Sequence, residues 1–423
     1  MKTVGLGPSG LIFVLLFGMS FLIVPACRTL GVLSFEYFPL PDDLSFASQL
    51  PLIFASLVCF IFGYRRAFLR QVQNVSNRRL QIDVVLYLHC VFLFIGAAAC
   101  AALVVRADTD IWTYFLYQNY FRLEVNNDVG YIKGLINLST ASGLLLYLAC
   151  SQVEKVGVFQ WVLQMLAFAM NLIFAHRFVA VGYLVSLAFA HHAFFRRLSW
   201  PDIGRILLLL LVFNAVYANF RDVMHAEVSN SIELHDVGVQ GVDALGFAVA
   251  SFLSFQFHGL TSLVEVERLV EEGALQFHYG WHYLYDIVFS VIPYSAYPAK
   301  YPPIGTIFNM RIRGDYGAVY DPQAEVAGGI VLGYIGDLYY FGGVVAVILG
   351  SFVSGRFLCR VDQSLDGRLG PNAFFMAVVV LPYCVLSVQG VGGLLPRAVI
   401  VALFAWLLLW LVSVRQPLVT DSR

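Results

Sequence analysis

Long apolar segments alternate with short polar connections along most of the chain. Ten of them are close to the length of about 20 residues that a helix needs to cross a bilayer. They cover about residues 9–27, 45–64, 80–105, 131–150, 157–174, 178–195, 204–220, 327–355, 372–389 and 396–414. Because the apolar runs are continuous rather than alternating, they predict helices and not barrel strands. The pattern predicts an all-α polytopic integral membrane protein with about ten transmembrane helices (ten to twelve).

The composition agrees with a chain that uses lipid as its solvent. Of the 423 residues, 59% are hydrophobic and 13% are charged. Soluble domains carry about 25% charged residues, so this chain has too few polar groups to cover a surface that faces water. The net charge of −1 also argues against a nucleic-acid partner. The seven cysteines lie within or beside apolar segments without a CxxC pair, which predicts neither a disulfide framework nor a metal site.

The basic residues predict the orientation. With the N-terminus inside, the short inner loops and tails hold 15 of the 26 Lys and Arg residues. These are Lys2, Arg65, Arg66, Arg70, Arg78, Arg79, Lys155, Arg196, Arg197, Arg205, Arg356, Arg360, Arg368, Arg415 and Arg423. We therefore expect both termini inside and one integral membrane domain over residues 1–423. A large outer loop over residues 221–325 interrupts that domain.

Two apolar segments need a separate interpretation. The first, after Lys2, lacks a clear cleavage site, so we expect a retained transmembrane helix rather than a signal peptide. The second covers residues 238–263 and is apolar enough to span the membrane. A single extra crossing would move the basic loop around Arg356 to the outside. A re-entrant or interfacial segment therefore fits the charge pattern better.

The outer loop is rich in Tyr, Trp and Pro between His278 and Gly329. Such rings suit the headgroup level of a membrane, and their faces also suit sugar rings. The segment is thus either an interfacial loop with short helices or a glycan-binding surface. If the segment is a glycan-binding surface, its candidate residues are Trp281, Tyr285 and Lys300.

Four arginines fall at the predicted outer face: Arg177, Arg221, Arg311 and Arg397. An arginine beside lipid needs an anionic partner, and a guanidinium group matches phosphate with two parallel hydrogen bonds. The set predicts a site for a lipid diphosphate. The alternative is that each arginine contacts lipid headgroups or pairs with a carboxylate.

Several local motifs resemble those of the oligosaccharide repeat-unit polymerases, the O-antigen polymerase (Wzy-type) family of lipopolysaccharide assembly. The similar segments are Ala175-His176-Arg177-Phe178, Phe220-Arg221-Asp222, Tyr279-Gly280-Trp281, Ile292-Pro293, Pro298-Ala299-Lys300 and Gly336-Asp337-Leu338-Tyr339-Tyr340-Phe341-Gly342-Gly343. The specific part of the resemblance runs from about Tyr279 to Gly343. One position departs from the family pattern, because Asp337 stands where a glutamate is usual.

The resemblance implies a glycosyltransferase of the bacterial inner membrane with its active site facing the periplasm. It would polymerise undecaprenyl-diphosphate-linked oligosaccharides into surface polysaccharide, without a cofactor or metal. Membrane lipids and a separate chain-length regulator would be its partners. In this interpretation Asp337 or His282 orients or deprotonates the acceptor hydroxyl. Alternatively, His282 and His278, four residues apart, simply line one side of an interfacial helix.

Other functions share the same membrane plan. An O-antigen ligase would transfer finished polymer to lipid A core and would also need the diphosphate arginines. A polyprenyl-phosphate-sugar transferase would use acids in the first outer loop, where Glu36, Asp42 and Asp43 lie. A transporter of lipid-linked oligosaccharides would require polar residues in the middle of its helices. In the sequence, His89 is one of few such residues.

Overall fold

The computed structural model describes residues 6–29, 46–68, 78–116, 130–151, 157–174, 177–194, 259–289, 332–365, 371–386 and 395–415, with isolated residues at 205, 292, 297, 305, 307 and 308. These residues are mostly helical. In chain order the elements are α1 (Pro8–Gly18), a π-helical turn (Met19–Ile23), α2 (Val24–Thr29), α3 (Phe46–Phe68), β1 (Arg78–Leu80), α4 (Ile82–Arg106), α5 (Ile111–Leu116), α6 (Gly130–Ser151), α7 (Val158–Phe174), α8 (Arg177–Phe194), α9 (Gly259–Glu271), α10 (Trp281–Phe289), α11 (Tyr334–Leu365), α12 (Pro371–Leu386), α13 (Leu395–Val412) and β2 (Ser413–Arg415).

The helices confirm a helical membrane protein. Four stretches in the described part are long and apolar enough to cross a membrane: Pro8–Cys27, Ser48–Arg65, Ile82–Arg106 and Tyr334–Leu365. Shorter apolar helices are Leu135–Cys150, Val158–Phe174 and Ala398–Val412. The total of ten spans and the orientation stay predictions.

Each predicted apolar segment overlaps a helix, except 204–220, which lies outside the described residues apart from residue 205. The predicted segment 327–355 differs most, because α11 continues to Leu365. Its last turns keep Leu358 and Val361 buried while Arg360 is exposed. The helix therefore remains amphipathic beyond the apolar run, and a hydropathy boundary misses its end.

Helix α11 contacts α3 closely enough for their backbones to touch. A Cβ atom at Gly63 would lie 2.1 Å from the carbonyl oxygen of Phe352, and one at Gly355 would lie 2.1 Å from that of Phe60. The hydroxyls of Ser56 and Ser351 are 2.8 Å apart in the same contact. Small residues thus allow the close packing that holds helices together in lipid, where no hydrophobic force favours their association.

A buried carboxylate joins α11 to the start of α1. The backbone N–H groups of Ser9 and Gly10 donate to Asp362 over 2.9 and 3.2 Å, and the Tyr64 hydroxyl donates to it over 2.5 Å. Ser9 and Gly10 are in the first turn of α1, where N–H groups have no partner within the helix. A negative charge there is also favourable for the helix dipole. Asp362 therefore caps α1 from a distant helix.

These contacts place several helix ends together. Asp362 places the start of α1 beside the end of α11, and the Gln363 side chain donates to the Ala67 carbonyl oxygen near the end of α3. Strand β1, which precedes α4, pairs antiparallel with β2, which follows α13. At the opposite end of α3, the Gln49 amide donates to Glu267 of α9 over 2.7 Å. Within the described residues, α1 therefore runs antiparallel to α11, and α3 runs parallel to α11.

A layer of buried polar side chains lies between α4, α6, α7 and α8. The His89 Nδ1 atom is 2.9 Å from the Ser142 hydroxyl. The Gln164 amide donates to the Gly143 carbonyl oxygen over 3.0 Å and accepts a hydrogen bond from the Tyr183 hydroxyl. Four helices are thereby joined by hydrogen bonds as well as by packing.

The close contact between α3 and α11 can be tested with alanine at its glycines. We expect Gly63→Ala and Gly355→Ala each to lower the free energy of unfolding by about 1–3 kcal/mol, because the new methyl group meets a backbone oxygen that cannot move alone. Gly18→Ala is the matched control, since nothing lies within 4 Å of its added Cβ. Denaturant titration of the purified protein measures the difference. Equal stability of Gly63→Ala and Gly18→Ala would contradict the contact.

Candidate functional site

Helix α11 is broken near its beginning. Gly342 and Gly343 leave the helical conformation, and Gly343 has φ of 67°, a left-handed value that favours glycine. The aromatic ring of Phe277 also approaches, since its Cζ atom would lie 3.4 Å from a Cβ at Gly343. A short section, Tyr334 to Phe341, is thus separated from the long section that follows.

The segment before α10 supplies hydrogen bonds at the break. The N–H of Tyr279 donates to the Phe341 carbonyl oxygen over 2.9 Å, and the N–H of His278 donates to that of Tyr340 over 3.4 Å. Gly280, with φ of 84°, turns the chain into α10, and a Cβ there would lie 2.7 Å from the Phe341 ring. The backbone groups freed by the break are therefore satisfied by protein.

Asp337 and Tyr283 form the centre of the site. The Tyr283 hydroxyl donates to Oδ1 of Asp337 over 2.9 Å, and the two residues are 6% and 1% exposed, respectively. Burial, followed by the Asp337 charge, raises the pKa of Tyr283 well above its ordinary value, which keeps the phenol protonated as a donor. The backbone just before α11 lies directly against that of α9, since a Cβ at Gly333 would lie 2.8 Å from the Cα of Gly259. This close contact holds the start of α11 in place.

His278 lies against the same pair. Its ring is 4.7 Å from both the Tyr283 and Tyr340 rings, centre to centre, and Nδ1 accepts the Gly280 N–H over 3.0 Å. Burial, and next the neighbouring His282, lower its pKa to about 4. The imidazole is therefore neutral, with its proton on Nε2. Nε2 is buried and has no hydrogen-bond partner within the described residues.

His282 is the more accessible imidazole. It is half-buried, and its ring is 5.4 Å from that of His278. Burial lowers the pKa of His282 as well, so this ring is also neutral at pH 7 and can accept a proton. Two neutral imidazoles and a tyrosine–carboxylate pair thus lie together where the segment before α10, the first turn of α10 and the start of α11 meet.

Aromatic side chains lie beside this cluster in the sequence and on α10. Tyr279 and Trp281 are 73% and 70% exposed, while the Tyr285 ring stacks on Phe289 at 4.3 Å between centres. The proposed glycan-binding residues Trp281 and Tyr285 therefore belong to the same short helix as His282. Lys300 lies outside the described residues.

The diphosphate arginines are only partly described. Arg177 is the first residue of α8, and Arg397 lies in the first turn of α13. Helix α10 packs against α13, so the backbone brings Arg397's helix to the Asp337 site. Arg221 and Arg311 lie outside the described residues.

Sequence reasoning did not select Tyr283 and assigned His278 only as a possible structural residue. The available signal was helical periodicity, because α10 begins at Trp281 and turns Tyr283 inward while Trp281 faces outward. One acidic residue away from this site has a structural role. Asp110 caps α5, accepting hydrogen bonds from the N–H groups of Trp112 and Thr113.

Comparison of the chain with known protein families, with characterised proteins and with solved structures found no match. A function can therefore be inferred only from the chemistry of the site.

The buried imidazole predicts a dependence of stability on pH. The pKa of His278 is about 4 in the folded protein and about 6.5 in an exposed histidine. Between these values the unfolded chain binds a proton that the folded chain does not bind. The stability contribution is complete above pH 6.5 and is lost as pH falls towards 4, by up to about 3 kcal/mol.

The variant His278→Asn isolates this effect, because its side-chain oxygen can still accept the Gly280 N–H but does not titrate. We expect the fall in melting temperature between pH 7 and pH 4.5 to be clearly smaller in His278→Asn than in the wild type. His282→Asn is the comparison, since it leaves His278 in place. Identical pH profiles of His278→Asn and the wild type would show that His278 is not buried in this way.

Proposed function

We propose that the protein is an inner-membrane glycosyltransferase that polymerises undecaprenyl-diphosphate-linked oligosaccharide repeat units into O-antigen or a related surface polysaccharide. The observation that carries this proposal is the cluster of Asp337, Tyr283, His278 and His282 beside exposed aromatic rings at a helix break. Irregular backbone at such a place is tolerated where it is buried in protein or lines a cavity, and it is common at substrate sites.

The reaction needs a nucleophile, a proton acceptor and a stabilised leaving group. A hydroxyl oxygen of the acceptor unit attacks the anomeric carbon of the growing chain, and a carbon–oxygen bond forms. The bond from that carbon to the diphosphate breaks, and its electron pair leaves with undecaprenyl diphosphate. The hydroxyl proton passes to His282, the half-buried neutral imidazole.

The burial of Asp337 changes the role expected for it. A carboxylate that is 1% exposed and bonded to Tyr283 cannot contact a sugar hydroxyl in this conformation. In this proposal Asp337 is a positioning residue that fixes Tyr283, and Tyr283 in turn fixes α10 with His282. Trp281, Tyr285 and Lys300 would contact the glycan, and the periplasmic face would hold the site.

The leaving diphosphate would be bound by Arg177, Arg221, Arg311 and Arg397. Negative charge on its bridging oxygen increases as the bond breaks, so preplaced guanidinium groups lower the barrier. The start of α8, the start of α11 and the start of α13 lie at one bundle end in an alternating chain. That arrangement supports a shared site for Arg177, Arg397 and Asp337.

A transporter of lipid-linked oligosaccharides is the second candidate. The observation in its favour is the buried polar layer of His89, Ser142, Gln164 and Tyr183, since polar groups inside a membrane bundle often mark a pathway. An O-antigen ligase would share the diphosphate arginines. Loss of each of these three activities would cause a different glycan product to accumulate.

Gel analysis of lipopolysaccharide from a strain that lacks the gene distinguishes a polymerase, a ligase and a transporter. A polymerase deletion leaves core with a single repeat unit, because ligation survives. Bare core with polymer still on its lipid carrier would instead indicate a ligase. Accumulation of single lipid-linked units without surface glycan would indicate a transporter, and an unchanged ladder would contradict all three.

Complementation with single variants tests the assigned residues. We expect His282→Asn to reduce polymer at least about 100-fold, because it removes the proton acceptor. Tyr283→Phe should reduce it roughly tenfold, because Asp337 loses a hydrogen bond. Tyr339→Phe, a half-buried tyrosine whose ring contacts Phe277, is the control and should keep the full ladder. A full ladder with His282→Asn at normal protein levels would remove His282 from the mechanism.

A further inference from the structure

One side of α10 is apolar and exposed. Trp281, Leu284 and Val288, which we call the α10 stripe, are 70%, 58% and 60% exposed. Tyr283, in contrast, is buried and bonded to Asp337. At 3.6 residues per turn the three side chains of the stripe lie within about 60° of one another, and Tyr283 lies on the opposite side. A contiguous exposed apolar face of this kind marks an interaction surface.

The helix that carries this stripe contacts two apolar helices whose own exposed side chains are apolar. Helix α10 packs against α13, where Leu403 and Trp406 are each 60% exposed. Helix α11, which is long and apolar enough to cross a membrane, has Val344 and Val345 50% and 66% exposed just after its break. The apolar surface that the spanning helices present to lipid therefore reaches the helix that carries the site.

Exposed aromatic rings mark the level at which this apolar surface begins. Tyr279 is 73% exposed and lies at the break in α11, since a Cβ at Gly342 would lie 3.7 Å from its ring. Trp281 follows as the first residue of α10. Tyrosine and tryptophan are enriched where the hydrocarbon core of a membrane meets the headgroups. We therefore expect the break in α11 and the start of α10 to lie at the membrane surface.

The length of α10 limits how it can meet a bilayer. Its nine residues are about 13 Å long, whereas a helix needs about 20 residues to cross the hydrocarbon core. A short helix with one apolar side lies instead in the plane of the interface, with that side among the upper parts of the acyl chains. The aliphatic side chains of Leu284 and Val288 offer a glycan no hydrogen bond, so lipid fits this part of the stripe better.

We propose that the bilayer itself is a partner of the candidate site, because α10 lies along the membrane surface with Leu284 and Val288 among the acyl chains. Lipid on one side of the helix then holds Tyr283 inward on the other side. Trp281 stays at the headgroup level, where its ring can also meet a glycan. The lipid contact does not depend on glycosyl transfer. Only its consequence rests on the proposed function, namely that His282 receives a substrate held at the membrane surface.

The test is photocrosslinking of the purified full-length protein in nanodiscs of phosphatidylethanolamine and phosphatidylglycerol. Benzoylphenylalanine replaces Leu284 or Val288, and mass spectrometry of the irradiated protein counts the peptides that are joined to a lipid. Leu403 is the lipid-facing control, and Glu272, an exposed and charged residue just after α9, is the control outside lipid. We expect lipid adducts at Leu284 and Val288 to be at least about tenfold more frequent than at Glu272. No substrate is added, so failure of the proposed reaction would leave this result unchanged.

Equal yields of lipid adducts at Leu284, Val288 and Glu272 would overturn the proposal. Adducts between two protein chains in place of lipid adducts would also overturn it, because they would indicate a second copy on this face. Trp281→Phe gives an independent measurement without a photoreactive residue. The fluorescence that this variant loses belongs to Trp281, and lipids brominated near the headgroup end of their acyl chains should quench most of it. Unquenched Trp281 fluorescence would place the indole in water and contradict the membrane position of α10.

Discussion

The backbone contact between α3 and α11 is the constraint on which the other features depend. Gly63 and Gly355 let the two helices approach until a carbonyl oxygen of each helix occupies the position of a Cβ on the other. Helix α11 then has a fixed place beside α3, and its residues enter all three buried clusters: Leu338 with α1 and α3, Val361 with α4 to α8, and Tyr340 with α9 and α10. In lipid, such packing replaces the hydrophobic force that assembles soluble helices.

Contacts at both ends of the bundle depend on this helix. At one end Asp362 caps α1, and strand β1 pairs with β2. At the other end the break after Phe341 accepts the segment before α10, which brings Tyr283 and His282 to Asp337. The short section of α11 before the break therefore belongs to the candidate site, and the long section after it carries the contacts with α1 and α3.

Hydropathy predicts where the long apolar helices of the described residues lie, because a continuous apolar run in lipid satisfies its backbone as a helix. It misses the end of α11 at Leu365. It does not predict the break at Gly342–Gly343, since two glycines in an apolar run equally suit close helix packing. It also does not show that Asp337 is buried, because burial depends on α9 and α10, which are distant in sequence. Trp281 and His282 could be selected from the sequence because their stretch is dense in aromatic residues and resembles a Gly-Trp motif of the polymerase family. Tyr283 could be selected only once the start of α10 was known, because that start decides which side chains of the helix face inward.

The central claim is that the cluster around Asp337 elongates a lipid-linked glycan. The most direct measurement is reconstitution of the purified protein in liposomes with undecaprenyl-diphosphate-linked repeat units, followed by mass spectrometry of the lipid-linked products. We expect chains of two or more units, with one undecaprenyl diphosphate released for each linkage and without added nucleotide or metal. Unchanged single units, with a folded protein that still melts cooperatively, would contradict it.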